Sequence, residues 1–452
     1  IFLLTFLSFT ILHAQDYFTG KYAPFDSAIP SPAEFLGYDI GEQHTRHDQI
    51  VAYLQELAEV SNQATIAQYG KSHESRKLVM LTISTAENLA NLPAIKKQHL
   101  AFVDTKQNVT NYNEVPVFIQ LGYNVHGNEP SSSEAALLSA YTFVASENPE
   151  ILNYIKNAVI MVDPTINPDG RDRHTQWANT YQGTPNVSDP QDAEHNEYWP
   201  GGRTNHYWFD LNRDWLLLTQ TESKARVAQF QAWQPHVLTD HHEMGTASSF
   251  FFQPGVPSRK NPKITAENQT LTAKIAEHHA KALDEVGQTY YSKESFDDFY
   301  PGKGSTYPDL QGSIGILFEQ ARAQGGRIES SNGERSLASG IRNQFLTALS
   351  TVKGADANRS AIIDYKNNFF RQAKAQAAKN STAGYLIDVA DNAYRGKQLI
   401  EFLTSHQIEV KNLATNRSVS GHSFKKDQAL YLSLNLKTVL SFSGATLRKS
   451  ER

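Results

Sequence analysis

The sequence predicts an α/β fold, a sheet with helices on both faces, and three observations predict it. Apolar runs of strand length alternate along the chain with longer segments whose apolar residues recur at helical spacing. Alternation sustained over this length is the pattern of a sheet covered by crossover helices. Three of the apolar runs also end at or just before an imidazole or a carboxylate, namely His126, His242 and Glu319, and in such sheets ligands sit outside the carboxyl ends of the strands.

The elements follow in order. HDQIVAYLQELAEV, within 37–60, has the apolar spacing of a helix. TIAQYG (65–70) and RKLVMLTIS (76–84) read as a strand pair turned at GKSHES. PVFIQLGY (116–123) is a buried strand, and SSSEAALLSAYTFVA (131–145) a helix whose serines are candidate caps, with Glu134 placed to help. AVIMVDPTI (158–166) is a strand closed by Asn167-Pro168-Asp169-Gly170. Residues 171–210 are polar, aromatic and rich in turn formers, which predicts a long surface excursion. A helix at 222–233, a strand running into a loop at 235–245, a long helix at 264–287 and a strand at 313–320 complete the alternation. After about Gly354 the character shifts to a lysine- and alanine-rich helix, then GYLIDVA and GKQLIEFLTSHQIEV, the start of a small second α/β module. The last stretch, 427–452, shows no clear element.

Composition narrows the chemistry. The chain has 452 residues, 40% hydrophobic and 20% charged, which suits a globular protein with a sizeable core. A net charge of −5 with dispersed basic residues gives no basic stripe, which argues against nucleic-acid binding. With no cysteine, disulfides, thiolate metal sites and thiol nucleophiles are excluded, so any metal must be held by His, Asp or Glu. The opening IFLLTFLSFTILHAQ is shorter than the roughly 20 residues that span a bilayer. It reads as the apolar part of a signal peptide ending near Ala14, although Leu12 departs from the small residue usual at that position. The expectation is a secreted or periplasmic protein without stable membrane insertion.

His126 and Glu129, in HGNE, are separated by two residues on a loop and can turn toward one ion, with a third ligand offered by DHHEMG further on. Two imidazoles and one carboxylate would leave a zinc ion net positive, able to polarise a carbonyl and acidify water. NPDG at 167–170, FDLNRDW at 209–215 and FEQ at 318–320 accompany the pair. In this order the residues resemble the zinc carboxypeptidases, the carboxypeptidase A-like metallopeptidase family. The resemblance runs from about Tyr38 to Leu349, roughly two-thirds of the chain.

What the resemblance implies is a zinc-dependent metallocarboxypeptidase acting on peptides or proteins with a free carboxyl end, on a mixed, mostly parallel sheet. It implies zinc on His126, Glu129 and His242, with His241 left to packing or support. It implies Asn212 and Arg213 as the clamp for the terminal carboxylate and Glu319 as general base. Tyr300 becomes the mobile tyrosine that closes over substrate, with Tyr307 as the fallback. The family's carbonyl-stabilising arginine has no counterpart after Trp177, which leaves Arg171, Arg173 and Arg203 open. Asp309 is a candidate for biasing the substrate pocket toward basic side chains. The expected organisation is a signal-peptide remnant at 1–14, a catalytic domain at 36–354 and a C-terminal extension at 355–452. Two other readings use the same residues: a zinc amidase or deacylase acting on cell-wall peptides or acylated amino acids, and a non-catalytic peptide-binding protein.

Overall fold

The computed structural model describes residues 14–104, 111, 114–379, 384–419 and 421–433. The expected signal peptide therefore lies outside the described residues except for Ala14, which opens the short helix Ala14–Thr19. No helix among the described residues is long and apolar enough to cross a membrane.

Seven strands form the main sheet: β1 Ala64–Lys71, β2 Lys77–Ile83, β3 Val117–Tyr123, β4 Ala158–Asp163, β5 Val237–Met244, β6 Phe250–Phe252 and β7 Ile314–Ala321. Their order is β1-β2-β4-β3-β5-β7-β6. The central four, β4, β3, β5 and β7, are parallel, and antiparallel pairings close both edges. The mixed, mostly parallel sheet expected from the resemblance is what the chain forms.

Alternation along each strand separates two cores. Ile119, Leu121, Ile160, Val162, Val237, Ile316 and Phe318 pack on one face with residues of the helices Ser131–Ala145, Ala266–Asp284 and Leu337–Ala357. Phe118, Val159 and Met161 face the other way, against Leu92, Ile95 and Trp233, and Leu238 joins Trp215, Phe230 and Tyr307. Each such side chain, fully buried, contributes about 1.5–3 kcal/mol. The helices therefore lie on both faces, and the irregular loops gather where the parallel strands end.

Three local readings differ from the structure. The serines at 131–133 do not cap their helix. Pro130 takes the cap position, and the buried helix end is met from β5, where the Glu243 carboxylate accepts the Ser131 N–H at 2.8 Å. Glu134 turns instead to the Thr45 N–H at 2.7 Å and to Arg171. Residues 168–181 are a helix rather than part of a surface excursion. The Asn167 side chain accepts the Gly170 N–H at 3.0 Å and Pro168 opens the first turn, so a motif read as a turn is a helix start.

The third difference is at the end of the chain. After the short pair β8 Arg327–Ile328 and β9 Arg335–Ser336, β10 Gly384–Asp388, β11 Val410–Asn412, a hairpin of β12 Arg417–Val419 and β13 His422–Phe424, and β14 Ala429–Ser433 build the small module. β14, from the stretch expected to hold no element, is the central strand of its three-stranded sheet. It buries Leu432 against Leu403 and Ile408; residues 434–452 lie outside the described set. The helix Arg359–Lys379 places Ile362, Tyr365, Phe369 and Phe370 in the main core.

Candidate metal centre

β3 stops at Asn124, which takes a left-handed conformation, φ 58°. Its buried amide then organises the following loop, donating to the carbonyls of His126 at 3.0 Å and Glu129 at 2.9 Å. Gly127 is obligatory there, since a Cβ would lie 2.1 Å from the Gly170 carbonyl carbon. This local fold aims His126 and Glu129 at the end of the neighbouring strand β5.

The three expected ligands meet. His126 Nδ1 lies 2.8 Å from Glu129 Oε1, His242 Nδ1 lies 3.0 Å from Glu129 Oε2, and the two Nδ1 atoms are 3.2 Å apart. Zinc bonds of about 2.0–2.2 Å in a tetrahedron set ligand atoms about 3.3 Å apart, so this triangle suits one ion. All three side chains are buried. The remaining ring nitrogens each meet a carboxylate: His126 Nε2 is 3.0 Å from Asp210 Oδ1, and His242 Nε2 is 2.8 Å from Asp240 Oδ1. Such partners keep a proton on Nε2 and leave Nδ1 as the ligating atom.

Charge makes the same case. Three buried or half-buried carboxylates, Glu129, Asp210 and Asp240, converge on two imidazoles, which calls for a cation. Burial disfavours protonation of His126, but Glu129 and Asp210 outweigh it and raise its pKa. Burial likewise opposes ionisation of Glu129, and the two histidines hold it well below the carboxylate range. A divalent ion would supply the charge that the protons otherwise bring.

Glu319 stands on β7 directly opposite His242 in the ladder. Burial pushes its carboxyl up to about 7, against the attraction of His242. Beyond β5, Asn212 Nδ2 sits 2.9 Å from His242 Nε2, and Asn212 Oδ1 accepts the Gly304 N–H at 2.8 Å. Arg213 is exposed, with Nη1 donating to the Asn212 carbonyl at 2.8 Å. The Tyr300 hydroxyl donates to the Arg213 carbonyl at 3.0 Å. The ligand triangle, Glu319 and the Asn212–Arg213–Tyr300 group thus form one contiguous site.

A family model described as zinc carboxypeptidase matches residues 50–309. The chain belongs to the zinc carboxypeptidase family. A carboxypeptidase 2 of Trichophyton rubrum is 23% identical over 207 residues, which are 46% of this chain and 30% of that protein. The chain thus spans less than a third of the length of that curated relative. Among solved structures, the carboxypeptidase A of Helicoverpa armigera aligns over 77% of this chain and 80% of its own, with 17% identity and a TM-score of 0.47. A metallo-carboxypeptidase of Burkholderia cenocepacia aligns over 71% and 69%, with 16% identity and a TM-score of 0.45. The family uses zinc, and His126, Glu129 and His242 are the group among the described residues that could hold it.

Within this zinc carboxypeptidase-family chain, several expectations resolve. His241 points away from the triangle, stacked on Tyr123 at 4.4 Å. Tyr307 is no substitute for Tyr300: it is buried, with its hydroxyl engaged by Gln231 and His406. Asp309 does not charge a pocket, because its buried carboxylate accepts from Asn268 at 2.8 Å and the Gly315 N–H at 2.7 Å. Of the three arginines, Arg171 is buried against Glu134 and backbone carbonyls, and Arg173 donates to the carbonyl of Gly201 at 2.8 Å. Arg203 alone of these reaches the ligands, with Nη1 3.3 Å from His126 Nδ1 and Nη2 2.8 Å from Asp210 Oδ2. Asp210 and Asp240 went unread in the sequence. Asp240 had a signal, since it lies two residues before His242 on one strand and so shares its face.

Proposed function

We propose that this chain is a zinc-dependent carboxypeptidase that removes residues from the free carboxyl end of peptides. The observation that carries the reading is the triangle of His126 Nδ1, Glu129 and His242 Nδ1, each imidazole backed by its own carboxylate. Zinc held there would supply Lewis acidity toward a carbonyl oxygen and toward water. Glu319, with its carboxyl at about 7, would take the proton of the attacking water and pass it to the leaving amine. The half-exposed Arg203 guanidinium would donate to the oxygen that gains charge on the scissile carbonyl. The exposed Arg213 fork would hold the terminal carboxylate. Asn212, whose Oδ1 accepts the Gly304 N–H, keeps a second lone pair and its side-chain N–H groups for that clamp. Tyr300, packed over Gly302 beside Arg213, would close on the substrate.

The catalytic unit in this reading is 36–354, with 355–452 as an extension, and the segment 1–14 would direct the protein out of the cytoplasm. The test is the set of products from matched peptides with free and amidated carboxyl ends, incubated with zinc-loaded and with chelated protein. Loss of terminal residues from the free-ended peptides alone, and only with metal, is expected. Equal cleavage of the amidated peptides would replace this reading with the amidase one, and turnover that survives chelation would remove the metal from it.

A further inference from the structure

The loop between Arg203 and Asp210 has its base in the site and its tip in solvent. Arg203 Nη2 and Asp210 Oδ2 close it at 2.8 Å. Within it, the Asn205 N–H donates to the Phe209 carbonyl at 3.1 Å and the Trp208 N–H to the Asn205 carbonyl at 3.1 Å. Asn205 is fully buried, and its Oδ1 accepts the N–H groups of Tyr207 at 3.1 Å and Phe209 at 3.0 Å. Its Nδ2 donates to Gln220 at 3.0 Å. A buried polar residue thus fixes the loop's backbone, while the rings that follow it are held outward.

Those side chains are Tyr207, Trp208 and Phe209, 57%, 56% and 49% exposed. Trp199, 71% exposed, lies beside them, its ring 4.8 Å from that of Trp208, while Tyr198 before it packs edge-on to Trp177. Single exposed rings are ordinary; a strip of exposed rings around the Trp199–Trp208 pair marks a binding surface. Trp208 also has φ 65°. Left-handed backbone is a true outlier for a bulky residue, and strain of this kind gathers where function needs it. Glycine would serve the turn better, so the ring is kept for something outside the loop.

We infer that this strip is a subsite for aromatic or large aliphatic side chains of the peptide upstream of the scissile bond. The inference rests on the carboxypeptidase reading and specifies its substrate class. Trp208 and Phe209 are two residues and one residue from Asp210, so their backbone lies within about 7 Å of the carboxylate that backs the ligand His126. In a carboxypeptidase only one substrate residue lies beyond the scissile bond, so a strip of this extent meets the acyl side. The polar groups bordering it are already engaged: Glu74 with Arg76 and His206, and Glu197 with Asn128 and the Gly202 N–H. The faces of Trp199, Trp208 and Phe209 then remain as open surface next to Arg203 and Asp210, where a peptide running into the site passes over them.

The test compares two hexapeptides identical in their last two residues, one with phenylalanine and one with glycine at the three residues before them, and an N-acylated dipeptide as reference. For the wild type, kcat/KM should favour the phenylalanine hexapeptide by about tenfold or more. In Trp208→Gly that preference should collapse toward one while Tm stays level or rises, because glycine accepts the left-handed turn. Trp208→Phe should retain most of the preference. A preference unchanged in Trp208→Gly, or an equal loss on the dipeptide, overturns the subsite. Stronger inhibition by chitin oligosaccharides than by the phenylalanine peptide would assign the strip to glycans instead. If the wild type cleaves none of the three, the carboxypeptidase reading fails on its own. Calorimetric binding of the amidated phenylalanine hexapeptide to wild type and Trp208→Gly then decides the strip, and equal affinities overturn it.

Discussion

The two faces of β5 carry the same residue type into opposite surroundings. His242 meets a carboxylate at each ring nitrogen, Glu129 at 3.0 Å and Asp240 at 2.8 Å. Burial disfavours its cation, yet Asp240 and Glu129 outweigh burial and raise its pKa well above the ordinary value. His241, the next residue, lies between Tyr123 and Phe318 at 4.4 and 4.7 Å, with one hydrogen bond, to Gln344 at 2.7 Å. There burial pushes the imidazole down to about 3. Side-chain parity along the strand, rather than residue type, decides which histidine faces an ion and which one is core.

The strongest way to break this comparison is on the wet face. Glu319→Gln keeps the shape and removes the base, so kcat should fall by about 10²–10⁴ while bound zinc, measured by atomic absorption, stays stoichiometric. Turnover within tenfold of the wild type would take Glu319 out of that role. The dry face should respond in the opposite sense. His241→Ala opens a cavity beside Tyr123 and Phe318 and should cost about 2–4 kcal/mol in urea unfolding, with zinc retained. Loss of zinc with stability intact would mean that the parity argument fails. A smaller effect sharpens the comparison at the carboxylate behind the ligand. Asp240→Asn loses the charge that keeps the proton on His242 Nε2, so zinc affinity should weaken about 10–100-fold, read by competition with a chelating dye. An unchanged affinity would make Asp240 a packing residue only.

How much of this was legible beforehand follows the same division. Strands buried on both faces announce themselves as apolar runs: β2, β3, β5 and β7 are legible within about two residues, while the run at 158–166 overshoots the end of β4 at Asp163 by three. His126, Glu129, His242 and Glu319 were placed at their ends. The helix Pro168–Tyr181 was not read, because NPDG serves equally as a turn and as a helix start, and only tertiary contact chooses between them. Capping of the helix Ser131–Ala145 was misread for a related reason: its first turn is buried, and Glu243, remote in sequence, supplies the acceptor. Arg203 was one of three open choices, since nothing local tells an arginine bound to carbonyls, such as Arg173, from one that reaches the ligands. The trace of β14 in ALYLS was faint because the strand is short and its partners, β10 and β11, are short as well.

The gentlest test extends the dry-face rule to a residue off the strand. His279, on the helix Ala266–Asp284, packs edge-on to Phe318 at 4.9 Å and bonds Ser350 at 2.8 Å. Burial pushes it down to about 3, as it does His99 and His241. The folded pKa lies below the unfolded value of about 6.5. Between those two values unfolding takes up a proton at each such histidine. The contribution to stability is therefore complete above about pH 6.5 and is lost as the pH falls toward 3. Each proton sets a slope of about 1.36 kcal/mol per pH unit. His279→Asn can keep the bond to Ser350 but cannot titrate. Urea unfolding across pH 7 to 4.5 should show a slope shallower than that of the wild type by about one proton, whatever the offset in stability. Acid release of zinc affects both proteins alike, because His279 touches none of the ligands, so it cancels in the difference. Parallel slopes would mean that His279 already carries its proton when folded, and that an apolar surround alone does not keep a buried imidazole neutral in this core.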